Sequence, residues 1–296
     1  MYLVRRMFGL GLSTTPWTVL DEDNPWNKKA YDELIKKVSE TKPRNRVKKL
    51  NILVMGPQGY GKSTFINSIA SLSVGEKTSV CNTGGIAEGE DVTTIHRQYD
   101  VPGRFKNFRF LDVRGLPKVR DHSLNYMKDL EMLIEGKMKE GYKFSVERPI
   151  SKTDECFNEN PSIETKVHGV IIVFDMSEAY EIHRRIAEDL RLIVNNLNTW
   201  NVPFSVVLTK ADKENVCVQD DVENIYYSKK VTSAAENIYQ QLGIPKGNIH
   251  PVMNFGENVK FGWKEGLPLL RAIKACLSTA RDHLYNADKD SRLPEE

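Results

Sequence analysis

The chain is short of several things, and each shortage excludes a class. No apolar run approaches the ~18 residues needed to cross a bilayer, so no membrane-spanning helix is expected. Cysteine is scarce, with four among 296 residues. Cys81, Cys156, Cys217 and Cys276 lie far apart with no C-x-x-C spacing. That excludes a disulfide frame or zinc site and points to reduced thiols in a cytosolic protein. The six histidines are scattered without metal-ligand spacing. Charge of either sign nearly cancels, 42 Lys and Arg against 40 Asp and Glu, for a net of +2. No general attraction to nucleic acid or an anionic membrane follows. There is no internal repeat and no low-complexity tract. The opening stretch Met1–Leu10 is not expected to be a signal peptide: its apolar run is short, Arg5 and Arg6 break it, and no small-residue cleavage site follows. A weak amphipathic anchor is the alternative reading for it.

What is present fits a globular chain, with 40% hydrophobic and 28% charged residues. The length is enough for one large domain or two small ones. Its most informative segment is Gly56-Pro57-Gln58-Gly59-Tyr60-Gly61-Lys62-Ser63, a complete G-x-x-x-x-G-K-[ST] phosphate-binding loop. The apolar run Leu50–Met55 precedes it and a helix-like stretch from Lys62 to Ile69 follows. Strand, Gly-rich turn, helix is the setting the motif needs. Glycines let the backbone wrap a phosphate chain, and successive N–H groups point inward at the positive end of the helix. The expected phosphate contacts are Gly56, Gln58, Gly59, Tyr60, Gly61, Lys62, Ser63 and Thr64. Lys62 supplies a point charge to the β- and γ-phosphates, and the Ser63 hydroxyl a ligand for Mg²⁺. The loop says nucleoside triphosphate without saying which base.

A coarse pass places the remaining elements. Residues 28–41 read as a polar helix, and 49–55 as the first core strand. Residues 75–93, rich in Gly, Thr, Ser and Glu, read as a mobile loop. Thr94–Val101 and Asn107–Val113 are strand-like, with Pro102-Gly103 between them suggesting a hairpin. His168–Asp175 and Pro203–Thr209 suit strands buried on both faces. Asn248–Met253 reads as an edge strand, because Pro251 cannot donate to a ladder. Apolar stripes at Ile182, Ile186, Leu190, Ile193 and Leu197, and from Leu269 to Leu284, mark helices; Cys276 in the second is core. The expected fold is α/β: a P-loop NTPase G domain, a doubly wound, mostly parallel sheet with one antiparallel edge strand and helices on both faces. The ligand belongs outside the strand C-terminal ends.

Two further signals follow the loop. Leu111-Asp112-Val113-Arg114-Gly115 ends a strand with Asp-x-x-Gly. Asp112 can reach Mg²⁺ through its water shell, and the Gly115 N–H can meet a γ-phosphate, tying the next segment to nucleotide state. Leu208-Thr209-Lys210-Ala211-Asp212 resembles the Thr-Lys-x-Asp guanine reader of GTPases. Asp212 would accept from guanine N1–H and the 2-amino group, donors that adenine lacks there, rejecting ATP by a factor of about 10⁴. The Lys210 stem would lie along the base. Thr93 and Thr94 are adjacent candidates for a Mg²⁺-binding threonine, with Thr94 preferred. Met253-Asn254 could add a contact to guanine O6.

At this point the chain resembles the interferon-induced protein 44 family, a branch of Ras-like P-loop GTPases. The match includes Pro25-Trp26, the phosphate loop with Phe65-Ile66-Asn67-Ser68, Thr93-Thr94 and the Asp112-to-Leu116 segment. It continues through an insert ending Val167-His168-Gly169-Val170, then Leu208–Asp212 and Asp221–Tyr226. The resemblance implies a cytoplasmic protein that binds GTP or GDP with Mg²⁺ and takes part in innate antiviral responses. It implies microtubule association through some members. Vertebrate members usually carry an additional N-terminal domain of the TLDc type. The stretch upstream of the loop is too short for one, so functions resting on it are not expected here.

Small GTPases place a Gln after Asp-x-x-Gly to orient the attacking water. Here that position is Leu116, which cannot hold water. Gln58, at a loop position where dynamin-type GTPases carry a catalytic Gln, is the replacement candidate, beside Lys62 and Thr94; the alternative is a solvent-facing residue. Arg114 could stabilise charge or merely pair with a carboxylate, and His96 and Arg97 read as strand surface. Between Gly115 and His168 lies a long insert with a stripe of Leu124, Met127, Leu130, Leu133 and Ile134. It is expected either to move with nucleotide state as a partner or dimer surface, or to be a fixed lid. A homodimer would form through this insert or the nucleotide face. The expected division is an extension of loop and short helix over 1–46, a nucleotide domain over 47–288 with its insert at about 116–167, and a tail over 289–296. The reading is a slow GTPase switch, or else a scaffold that holds nucleotide without turnover.

Overall fold

The computed structural model describes residues 11–17, 26–44, 47–82, 95–113, 115–116, 123–256 and 259–290. A six-stranded sheet forms its centre. In chain order the strands are β1 (Leu50–Met55), β2 (Arg97–Asp100), β3 (Phe108–Asp112), β4 (Gly169–Asp175), β5 (Phe204–Thr209) and β6 (Ile249–Pro251). Their spatial order is β2-β3-β1-β4-β5-β6. Only β2 runs antiparallel, against β3, as the Pro102-Gly103 turn predicted. Every residue of β1 and of β4 is buried. That follows from sequences apolar at nearly every position, which only a sheet covered on both faces can accommodate. The two edges are the short, partly exposed β2 and the three-residue, largely buried β6. Pro251 sits in β6 opposite Leu208, where its missing N–H is harmless. This is the doubly wound, mostly parallel G-domain sheet expected from the sequence.

The helices are α1 (Lys28–Glu40), α2 (Lys62–Val74), α3 (Ser123–Ile134), α4 (Met176–Ala179), α5 (Arg184–Thr199), α6 (Ala211–Glu214), α7 (Val216–Asp220), α8 (Lys229–Leu242) and α9 (Trp263–Asp290). Asn27 caps α1, its side chain accepting from the Ala30 N–H at 2.8 Å. The α1 residues Ala30, Leu34, Ile35 and Val38 are buried in the same core as the sheet, against α9. In α5 the buried set is Ala187, Leu190, Ile193, Val194 and Leu197, the 3.6-residue period of an amphipathic helix. Cys276 is buried in α9, and desolvation pushes its thiol up to about 12, so it acts as a small hydrophobe.

The insert packs along the β2 side. Its α3 buries Tyr126, Leu130, Leu133 and Ile134. Leu124 does not join them: it stands 69% exposed in the opening turn, outside the contact that begins at Tyr126. His96 also departs from the strand-surface reading and is fully buried. The insert backbone passes over it. The His96 N–H donates to the Tyr142 carbonyl at 2.8 Å, and the Gly141 N–H returns to the His96 carbonyl at 2.9 Å. At the sheet's N-terminal edge, the Asn51 side chain donates to the carbonyls of Glu164 and Lys166 at 2.9 and 2.7 Å and accepts from Arg109 Nε at 2.7 Å. Residues 11–17 are fastened too, with Leu12 bridging Ser228 in antiparallel fashion.

Candidate nucleotide site

β1, β3, β4 and β5 all end at one edge of the sheet, where the sequence placed the ligand. Between β1 and α2 the chain turns through Gly56, Gly59 and Gly61, at φ +139°, +82° and +91°. A side chain at Gly56 is impossible, because its Cβ would stand 2.2 Å from the Val173 carbonyl oxygen of β4. Gly61 caps α2 in the left-handed conformation. The first N–H groups of that helix, which have no intrahelical acceptor, belong to Lys62, Ser63 and Thr64. Lys62 is buried, and its ammonium donates to the carbonyls of Gly56 and Pro57, both at 3.0 Å. Gln58 is half-buried in the turn.

Asp112 ends β3 with 1% of its surface exposed. Its Oδ1 has no hydrogen-bond partner among the described residues. Burial pushes its pKa up to about 6, against the opposing pull of Lys62, the Val113 N–H and Arg97. A buried carboxylate oxygen with nothing to accept from suits a cation or its water shell. The Asp-x-x-Gly segment docks on the phosphate loop. A Cβ on Gly115 would come within 3.0 Å of the Gln58 nitrogen, and the Leu116 N–H donates to the Gly56 carbonyl at 3.4 Å. Leu116 itself packs partly buried against the core. Thr93, Thr94 and Arg114 lie outside the described residues.

The Thr209–Asp212 segment is tied into the same loop. Thr209 Oγ1 donates to the Tyr60 carbonyl at 2.7 Å and lies 3.3 Å from that of Phe174. The Tyr60 ring stands edge-on to Phe174 at 5.2 Å. Lys210 adopts the left-handed conformation, φ +61°. Its ammonium donates to the Gly59 carbonyl at 3.0 Å and pairs with the Asp175 carboxylate. Asp175 also caps α4, its Oδ1 accepting from the Ser177 N–H at 3.0 Å. Asp212 is half-buried in α6, and desolvation raises its pKa. After β6, Met253 is buried, and Asn254 Nδ2 donates to the Gly61 carbonyl at 3.4 Å while its Oδ1 is buried without a partner. The Phe255 N–H donates to Ser68 Oγ at 2.8 Å, pinning this loop to α2.

The structure thus brings Gly56–Thr64, Asp112, Gly115, Thr209, Lys210 and Asn254 to one rim, with Asp212 on the helix that follows. Two participants were missed. Asp175 receives the Lys210 ammonium; the available signal was an acidic residue ending a buried strand, the same context that singled out Asp112. Asn67 holds the start of the long loop, its Oδ1 accepting from the N–H groups of Val80 and Cys81, each at 2.8 Å. No local pattern marks an asparagine for that task.

No protein-family model matches the chain. Among curated proteins it is similar to interferon-induced protein 44-like of Homo sapiens, 27% identical over 245 residues, covering 80% of this chain and 53% of that protein. It is 24% identical to interferon-induced protein 44 of Mus musculus over 260 residues, covering 86% of this chain and 60% of that one. It is 26% identical over 211 residues to the "Probable GTP-binding protein EngB" of Caldanaerobacter subterraneus, covering 70% of this chain and 86% of that one. The resemblance to interferon-induced protein 44 proteins is therefore present across most of the chain. The chain spans about half the length of the first of these relatives. Among solved structures, Toc33 from Arabidopsis thaliana in complex with Mg2+ and GMPPNP aligns at TM-score 0.46 and 15% identity, covering 90% of this chain and 97% of that one. A probable GTP-binding protein engB aligns at 0.44 and 16%, covering 78% and 98%. Those scores are low; the fold assignment rests on the strand order and the phosphate loop.

Proposed function

We propose that this chain binds GTP and GDP with Mg²⁺ and acts as a slow GTPase switch. The observation that carries the reading is the Lys210 ammonium joining the Gly59 carbonyl of the phosphate loop to Asp175. With Thr209 bonded to Tyr60, it fixes the base-reading strand end to the phosphate cradle. A polyanion gripped by backbone amides and a purine chosen by Asp212 would then sit at a set separation. Ser63 and Asp112 would hold the Mg²⁺, with Thr94 as a third candidate ligand. The unpartnered Asp112 Oδ1 fits that role. Bound there, the ion would neutralise charge on the phosphates. Met253 and Asn254 would complete the base side.

For turnover, Gln58 is the group to bet on. It lies against Gly115, whose N–H would meet the γ-phosphate. A second reading, a scaffold that holds nucleotide without hydrolysis, is favoured by Leu116, whose apolar side chain packs on the core where a water-orienting Gln would stand. The name of the relatives supports an interferon-induced setting, and an antiviral role in the cytoplasm is proposed with it. Dimerisation through the nucleotide face or the insert, and microtubule association, belong to the same proposal.

A thermal-shift panel of GTP, GDP, ATP and buffer, each with Mg²⁺, tests the binding. GDP at 100 times its Kd should add about 2.7 kcal/mol of stability, and ATP at the same concentration almost none. Equal shifts from the adenosine and guanosine compounds would overturn the reading. Asp212→Asn should weaken GDP and favour xanthosine diphosphate, whose base carries a carbonyl at that edge. Single-turnover hydrolysis by the wild type and Gln58→Ala separates the two readings: no turnover in either leaves the scaffold.

A further inference from the structure

Residues 11–17 meet the guanine-reading end through a series of polar contacts. The Ser13 N–H donates to the Tyr227 carbonyl at 2.7 Å and the Trp17 N–H to the Tyr226 carbonyl at 3.0 Å. In return, the Lys229 N–H donates to the Gly11 carbonyl at 2.9 Å. Leu12, buried at 5% exposure, pairs with Ser228 at the centre of this small ribbon. Ser228 is fully buried, and its hydroxyl accepts from Asn215 Nδ2 at 2.7 Å. Asn215 ends α6 and begins α7, its own Oδ1 accepting from the Cys217 N–H at 2.9 Å. Lys230 adds a second tie, donating to the Glu214 carbonyl at 2.6 Å. Both ties reach the single-turn helix that carries Asp212.

We infer that residues 11–17 form a strap that positions Asp212, so that the segment preceding the nucleotide domain controls how tightly guanine is held. A helix of one turn has almost no stability of its own. The placement of α6 is therefore set by what fastens its ends. Lys210 fastens the front to the phosphate loop, and Asn215, through Ser228 and the strap, fastens the back. A strap that lifts frees the back while the phosphate cradle stays intact. Base affinity should then fall without loss of phosphate affinity. Residues 11–17 are positioning residues, and the inference rests on the guanine reading above.

Hydrogen exchange on the wild-type chain is the first test. Adding GDP with Mg²⁺ should slow exchange at Ser13 and Trp17 together with the phosphate-loop amides. Slowing confined to the phosphate loop overturns the strap and leaves the guanine reading standing. The second test compares Leu12→Asp, Ser228→Ala and the conservative Ser228→Thr by calorimetry with GDP and with inorganic pyrophosphate. GDP should weaken about tenfold in the first two while pyrophosphate binding is unchanged, and Ser228→Thr should bind GDP as the wild type does. A parallel loss for both probes, or none for either, overturns the inference. Wild-type chain that takes up GDP and ADP equally overturns the guanine reading and the strap with it.

Discussion

The two ends of the sheet bury polar side chains of opposite kinds. At the N-terminal edge, Asn51 donates twice and accepts once, and its backbone N–H donates to His168 Nδ1 at 2.8 Å. His168 Nε2 faces the Ile163 carbonyl at 2.8 Å. These side-chain atoms are answered by other described residues. At the C-terminal edge, Asp112 Oδ1 and Asn254 Oδ1 are buried with no such answer, and Lys62 leans on carbonyls of its own loop. An unanswered buried group costs about 1–3 kcal/mol, so a fold keeps one where a ligand compensates it. The completed network closes the insert onto β1 and β3. The incomplete one is where the proposed polyanion and cation would sit.

That contrast is broken most severely at Lys62. Lys62→Ala should cut GDP and GTP affinity by at least ~10³, which is about 4 kcal/mol, while the melting temperature moves little. Calorimetry and a thermal melt on one sample check both halves. Asn51→Ala should do the reverse. It strands the Glu164 and Lys166 carbonyls and the Arg109 guanidinium, costing about 2–3 kcal/mol of unfolding free energy in denaturant titration, with GDP affinity unchanged. A loss of affinity on Asn51→Ala would erase the distinction between the ends.

Smaller effects sharpen it. Gly115→Ala should press a methyl group against the Gln58 backbone and lower GTP affinity about tenfold more than GDP affinity, because the γ-phosphate needs that approach. Titration should separate the ends by sign. The Asp112 pKa is raised to about 6 from 3.8, so its ionisation opposes folding at neutral pH, and this cost is relieved as pH falls from 6 towards 4. The His168 pKa is lowered to about 4 from 6.5 by desolvation. Its contribution is complete above pH 6.5 and is lost as pH falls through that interval. His168→Gln should flatten the acid limb of a stability–pH curve, and Asp112→Asn should steepen it and raise stability at pH 7.

Much of this was legible in the chain. The phosphate loop, Asp-x-x-Gly and Thr-Lys-x-Asp are local strings, each needing only its own strand or turn, and the glycines could be assigned from backbone freedom alone. His96 was not legible, because its burial depends on insert residues far along the chain. Leu124 fits the helical period and still faces water, because period fixes a stripe's direction and not its length of contact. Asp175 looked like a strand end until Lys210 was seen to reach it.

Sequence by itself pointed to the ligand's chemistry and determined the sheet's character: an unbroken apolar β4 must be covered on both faces, and a G-x-x-x-x-G-K-S turn suits an anion. These are properties of adjacent residues, read along one short stretch. Tertiary structure alone decided which buried polar atoms are satisfied, that Lys210 clasps both Gly59 and Asp175, and that Leu12 lies against Ser228. Those are meetings between segments distant along the chain, and hydrogen bonding depends on angles and distances that no linear pattern encodes.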